Sequence, residues 1–150
     1  LRDLLGHDAP AAAVAAASDE QLRAVGLSRS KVASLRDLAE RTLDGRLELD
    51  RLDELPDEEV VAQLVAVRGI GPWTADLFLL GALGRPDVLP AGDLRLRSVV
   101  RAAYGLEEVP SERDVRQLGE RWRPHRSLAT AYLYSWRRDS TGGGTGTSTP

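Results

Sequence analysis

The 150-residue sequence has no cysteine and no methionine, one phenylalanine, two histidines and a single lysine, Lys31. Without cysteine there are no disulfides, no thiolate nucleophile and no Cys-ligated metal or cluster. His7 and His125 stand alone, without the spacing that metal ligation needs, and read as surface groups. The absence of methionine means that Leu1 is not a translation start, so the sequence is expected to belong to a longer chain. No apolar run is long enough to span a bilayer, and no secretory leader is visible. Convincing β-alternation is also missing, which leaves an all-α fold. At this length one compact multi-helix domain is expected.

The formal net charge is −3, an unpromising total for a nucleic-acid binder, but the distribution is uneven. Residues 1–83 carry 9 basic and 15 acidic side chains, and residues 84–138 carry 11 basic and 7 acidic. A basic second half can present a phosphate-attracting face on a protein that is acidic overall. From charge alone, ordinary solvated helix faces are the default reading of these arginines.

Short helices joined by tight turns account for nearly the whole chain. Alanine-rich Ala9 to Ala17, opened by Pro10, reads as a loose helix or a linker. Ser18 with Gln21 forms a capping-box pattern, and Gly26 is a stop. A helix follows Ser28, with Val32, Leu35, Leu38, Ala39 and Leu43 on one face, and ends at Asp44-Gly45. Leu47, Leu49, Leu52 and Leu55 form an apolar connector, and Pro56-Asp57-Glu58-Glu59 opens the next helix with acidic residues that suit the macrodipole. Further on, Gly84-Arg85-Pro86-Asp87 is a break and Val88 to Gly92 an extended lead-in to Asp93. Leu94 to Tyr104, Val109 to Arg121 and Ser127 to Trp136 are helical. The sequence therefore divides into a helical domain over 1–139 and a Gly/Thr/Ser-rich tail over 140–150, expected to be disordered.

The most informative stretch is Val67-Arg68-Gly69-Ile70-Gly71-Pro72-Trp73-Thr74-Ala75, followed by Leu89-Pro90-Ala91-Gly92-Asp93. Gly69 and Gly71 allow a hairpin too tight for side chains. Pro72 suits the first turn of a helix, where its missing N–H costs nothing. The free amides at the start of that helix form a site for phosphate, so the segment reads as a helix-hairpin-helix that grips a DNA backbone. Asp93 has two readings: an ordinary helix N-cap, or a carboxylate that does chemistry. They are compatible, since a cap fixes the carboxylate in place.

Leu64 to Ala75 and Leu89 to Leu94 resemble the helix-hairpin-helix/Gly-Pro-Asp superfamily of DNA base-excision glycosylases. Within it the chain is most similar to the 3-methyladenine DNA glycosylase II branch, with Leu22 to Ser28 and Trp122 to Ser127 adding to the likeness. It runs roughly from Pro10 to Arg137. The resemblance implies a monofunctional N-glycosylase that excises alkylated purines from double-stranded DNA containing damaged bases. It also implies a cytoplasmic, nucleoid-associated monomer with no membrane partner. The arginine-rich, lysine-poor and alanine-rich usage suits a bacterium with a GC-rich genome. An earlier segment with a Gln-rich turn belongs to the family pattern and is not found here, so the domain is expected to be N-terminally incomplete.

The resemblance places the essential acid at Asp93. Breaking a base–sugar bond builds positive charge on the sugar ring, and an ionised carboxylate held beside it stabilises that charge and orients water. Family members that also cleave the strand carry a lysine where this chain has Trp73. Imine chemistry needs an amine, so the reaction here is expected to use water. Trp73 is either a wall of the base pocket, where it would attract a cationic base, or a core residue capping the hairpin. By resemblance Tyr134 is the pocket aromatic that stacks on the extruded base, although core packing is the default for a helical aromatic. Tyr132, Tyr134 and Trp136 alternate and cannot share one helix face, and Trp122 reads as structural.

Arg68, Gly69, Gly71 and Thr74 are the backbone-binding candidates. Arg97 and Arg101 share a face and suit phosphate or an acidic partner such as Asp76. No cofactor is required by this chemistry. The family often holds a monovalent cation on main-chain carbonyls of the hairpin, here those of Val65, Val67 and Ile70, and the lack of cysteine removes the iron–sulfur cluster of some branches. Two rivals remain. A non-catalytic helix-hairpin-helix module would bind DNA without releasing bases. A helical protein-interaction domain would show no salt-dependent DNA affinity.

Overall fold

The computed structural model describes residues 11–140. Among them every regular element is helical, as the missing β-alternation implies. The chain divides into two compact units with the boundary between Ala75 and Asp76.

In the first unit, α1 (Ala11–Ala16), α2 (Asp19–Ala24) and α3 (Arg29–Leu43) enclose a small core of Val14, Leu22, Val32 and Ala39. Both bonds of the expected capping box are present, the Gln21 amide to Ser18 Oγ and the Ser18 amide to Gln21 Oε1. Ser28 caps α3 by accepting from the Lys31 amide at 3.3 Å. Arg36 on α3 donates to the Val14, Ala15 and Ala17 carbonyls, satisfying the groups that the end of α1 leaves open. Leu43 departs from the expected face: it is 56% exposed, because the core it was assigned to ends near Ala39. In the leucine connector Leu47 is buried ahead of a 3-10 turn, Leu49–Glu54, that buries Leu52 and leaves Leu49 exposed. α4 (Asp57–Val65) follows, burying Val60 and Leu64.

After a turn comes α5 (Pro72–Gly81), which runs across the boundary. The second unit continues with α6 (Leu94–Tyr104), α7 (Glu112–Gly119), a 3-10 turn (Glu120–Trp122) and α8 (Arg126–Ser140). α6 buries Leu96, Val99 and Val100, the i, i+3, i+4 stripe of a core-facing helix. The single helix expected over Val109 to Arg121 begins later, at Glu112. There Ser111 and Asp114 form a reciprocal capping box that sets its start. Leu89, Ala91, Leu96, Val100 and Val115 form the core, with Leu118, Trp122, Leu133 and Tyr134 packed against it, so Trp122 is structural as expected. α8 extends through Ser140, and the remainder of the expected tail, like His7 and the Ala9-Pro10 start, lies outside the described residues.

Thr130 on α8 is fully buried and its hydroxyl has no hydrogen-bond partner among the described residues. An unsatisfied buried hydroxyl is a net cost, and valine has the same shape without it. Thr130→Val should therefore raise unfolding free energy by about 1 kcal/mol, read as a higher urea midpoint with an unchanged slope.

Candidate active site

The second unit builds its site on the loop between α5 and α6. Asp87 anchors that loop. Its Oδ1 accepts from Arg126 Nε at 2.7 Å, and its Oδ2 from Arg126 Nη2 at 3.0 Å and Arg123 Nη1 at 2.8 Å. Arg126 Nη2 also donates to the Asp87 carbonyl, at 2.7 Å. The adjacent Ser127 hydroxyl donates to the Arg85 carbonyl at 2.5 Å and accepts from the Val88 amide at 3.0 Å. Arg126 and Ser127 thus tie residues 85–88 to the start of α8. The Arg126 side-chain hydrogen bond is the largest influence holding the Asp87 carboxyl below the usual aspartate range. The tie is therefore intact at neutral pH and is lost only as pH falls through that lowered value.

Beyond the clamp, Val88, Leu89, Pro90 and Ala91 are buried, and the chain turns twice, with Ala91 N–H to the Leu89 carbonyl at 2.8 Å and Asp93 N–H to the Pro90 carbonyl at 2.9 Å. Gly119 makes room for this: a Cβ there would collide with the Leu89 side chain. Asp93 emerges as the N-cap of α6, its Oδ1 accepting from the Arg95 amide at 2.7 Å. The second oxygen, Oδ2, accepts from the Tyr134 hydroxyl. The Asp93 side chain is partly exposed rather than turned into the interior. The N-cap reading of this residue holds, and the cap leaves the carboxylate at a helix N-terminus, where a negative charge is favoured.

Tyr134 is the aromatic of the three that reaches this carboxylate; Tyr132 is 68% exposed and Trp136 46%. The Arg95 guanidinium lies 5.2 Å from its ring centroid. Burial, then the hydrogen bond to Asp93 and that residue's negative charge, push the phenol well above its ordinary value, so it remains a proton donor at neutral pH. Arg97 Nε donates to the Pro110 carbonyl at 2.7 Å. Asp76 stands among Glu112, Arg116 and Arg126, half-buried, and burial raises its carboxyl above the ordinary range, with Arg116 the main opposing influence. A lone acid on an otherwise apolar helix was the only sequence signal for it.

In the first unit, the hairpin occupies residues 66–71 between α4 and the start of α5. Gly69 has φ of +81°, the left-handed region that favours glycine, and a Cβ there would also displace the Ser34 hydroxyl on α3. Gly71 differs from the expectation: its φ is ordinary and a Cβ would meet nothing within 4 Å. The turn itself is not too tight at that position. What its hydrogen side chain leaves is open space over the start of α5.

One hairpin amide is engaged by a side chain: Arg68 N–H donates to Asp37 Oδ2 at 2.6 Å, and Asp37 also pairs with Arg41 at 3.0 Å. That backbone bond is the largest influence lowering the Asp37 carboxyl. Among the described residues the amides of Gly69, Gly71, Trp73 and Thr74 make no hydrogen bond, and the exposed Arg68 side chain has no acidic partner. Trp73 is 49% exposed, which removes its reading as a core residue. The Val67 carbonyl accepts from Ile70 N–H at 3.1 Å and keeps a second lone pair, while those of Val65 and Ile70 accept none from described residues. Neutral carbonyl oxygens of this kind fit a hard cation.

The family model of the HhH-GPD superfamily of base excision DNA repair proteins matches residues 5–124, and the chain belongs to that family. Among curated relatives it is 35% identical over 116 residues to DNA-3-methyladenine glycosylase 1 of Schizosaccharomyces pombe, covering 77% of this chain and 51% of that one. Among solved structures, the S. pombe 3-methyladenine DNA glycosylase in complex with abasic DNA superposes with a TM-score of 0.80 at 31% identity, over 91% of this chain and 66% of that one. A DNA-3-methyladenine glycosidase from Bacillus halodurans gives a TM-score of 0.82 at 30% identity, over 95% and 66%. The chain spans about half the length of the curated relatives it matches. No helix among the described residues is long and apolar enough to cross a membrane.

Asp76 yields a pH-dependent expectation. Because its folded-state value is raised, ionising it costs stability, and the penalty grows as pH rises above the ordinary aspartate range. Asp76→Asn should leave the urea midpoint unchanged at acid pH and raise it at neutral pH; equal shifts at both would exclude the assignment.

Proposed function

We propose that this chain carries the catalytic part of a DNA N-glycosylase that removes alkylated purines of the 3-methyladenine type from damaged double-stranded DNA. The observation that supports it most is Asp93: a partly exposed carboxylate, held at a helix N-terminus by bonds to both oxygens, in a chain of the HhH-GPD family. The hairpin amides and Arg68 hold a phosphate of the flanking strand, and the damaged nucleotide leaves the stack. Cleaving the base–sugar bond puts positive charge on the deoxyribose. The base departs with the bonding electrons, the Asp93 carboxylate stabilises the charge left on the sugar, and water adds to the sugar carbon and gives up its proton to solvent.

An alkylated purine is already cationic or electron-poor, so it leaves without a strong general acid. Trp73 replaces the amine that strand cleavage would need, which favours simple hydrolysis to an abasic site. Trp73 and Tyr134 are the proposed aromatic groups of the base pocket. A monovalent cation on the Val65, Val67 and Ile70 carbonyls would tighten the hairpin against phosphate. The protein acts as a monomer in the bacterial cytoplasm, on the nucleoid.

Release of 3-methyladenine from alkylated duplex DNA tests this reading. Asp93→Asn should lower single-turnover release by about 100-fold or more, with affinity for abasic duplex retained. Gly69→Ala should act the other way, weakening duplex binding through the hairpin. A wild-type chain that binds duplex in a salt-dependent manner yet releases no base would be the non-catalytic module instead.

A further inference from the structure

We propose that Tyr134 is a positioning residue for Asp93, its hydroxyl holding one carboxylate oxygen while the first turn of α6 holds the other. The inference rests on the glycosylase reading for its catalytic meaning, but the contact itself does not. A carboxylate bonded only through Oδ1 to the Arg95 amide remains free to swing about its Cβ–Cγ bond. A donor on Oδ2 removes that freedom and fixes the plane of the group. Orientation of this kind matters because stabilisation of a developing charge depends on a donor or charge that does not reorganise during the step.

Tyr134 is suited to the task by its surroundings. Its ring packs against the core of Leu89, Ala91, Leu96, Val100 and Val115, which also carries the turn leading to Asp93. The Arg95 guanidinium covers one ring face. The phenol is held in its protonated form by burial and by the carboxylate itself, so it donates throughout the neutral range. An aromatic whose only task was to stack on an extruded base would need neither the hydroxyl nor its alignment with Asp93. It would also be poorly served by an arginine already occupying one face, since that cation competes with a cationic base for the ring.

Two measurements on the full chain test the assignment. The first is the Tyr134 hydroxyl proton by NMR at low temperature. It should give a downfield resonance that is absent from Tyr134→Phe and moves upfield in Asp93→Asn; a resonance unmoved by Asp93→Asn overturns the contact. The second compares Tyr134→Phe, which keeps the ring, with Tyr134→Leu, which does not. Tyr134→Phe should lower single-turnover release of 3-methyladenine about 10- to 100-fold, the range expected for losing a charge-assisted hydrogen bond, with abasic-duplex affinity unchanged. A Tyr134→Phe enzyme as fast as wild type, beside a slow Tyr134→Leu, would show that the ring alone matters and overturn the positioning role. A wild-type chain that releases no alkylated base would instead refute the glycosylase reading, and the hydroxyl resonance would still decide whether Tyr134 holds Asp93.

Discussion

The ion pair between Asp87 and Arg126 is the contact on which the second unit's site depends. An irregular loop must deliver Asp93 to the start of α6 in a fixed position, and loops do not hold position without partners. Asp87 meets this need by accepting from Arg126 through both carboxylate oxygens, with Arg123 beside it. Ser127 adds bonds to the backbone on either side. A forked guanidinium on a carboxylate fixes direction as well as distance, which a lysine would not do. From this anchor the buried Leu89-Pro90-Ala91 run carries the chain into the core and out again at Asp93.

The first unit solves a different problem with the same economy. Its hairpin must leave backbone amides unpaired, an arrangement that a folded chain avoids unless water or a ligand serves them. Asp37 takes one of them, the Arg68 amide, and so pins the turn to α3. The amides of Gly69, Gly71, Trp73 and Thr74 stay open among the described residues, at a turn that the left-handed Gly69 makes possible.

Much of this was legible in the sequence because it is written in local patterns. Ser18 with Gln21, Ser28 before its helix and Pro72 after a glycine each announce a helix end through contacts three residues long. Asp93 as a cap followed from the same kind of signal. What local pattern could not carry was pairing across distance. Asp87 with Arg126, Asp37 with the Arg68 amide, and Tyr134 with Asp93 join residues far apart in the chain, and no spacing rule connects them. The Trp122 to Ser127 stretch was read as a mark of likeness, while its physical task, clamping the loop, required the fold to be seen. Helix-face logic places Arg97 on α6, but the backbone carbonyl it bonds there leaves no trace in the sequence. Gly71 was read through its neighbour, and only the space around it shows that the two glycines differ.

Gly119 has a consequence for how this sequence can drift. It sits at the end of α7, in a position where alanine would ordinarily be the better helix former. Leu89 occupies the room that an alanine methyl would take, and Leu89 belongs to the segment that ends in Asp93. A neutral-looking change on the far helix would therefore push outward on the acid's own support. Selection at position 119 is in effect selection on the placement of a carboxylate that it never touches.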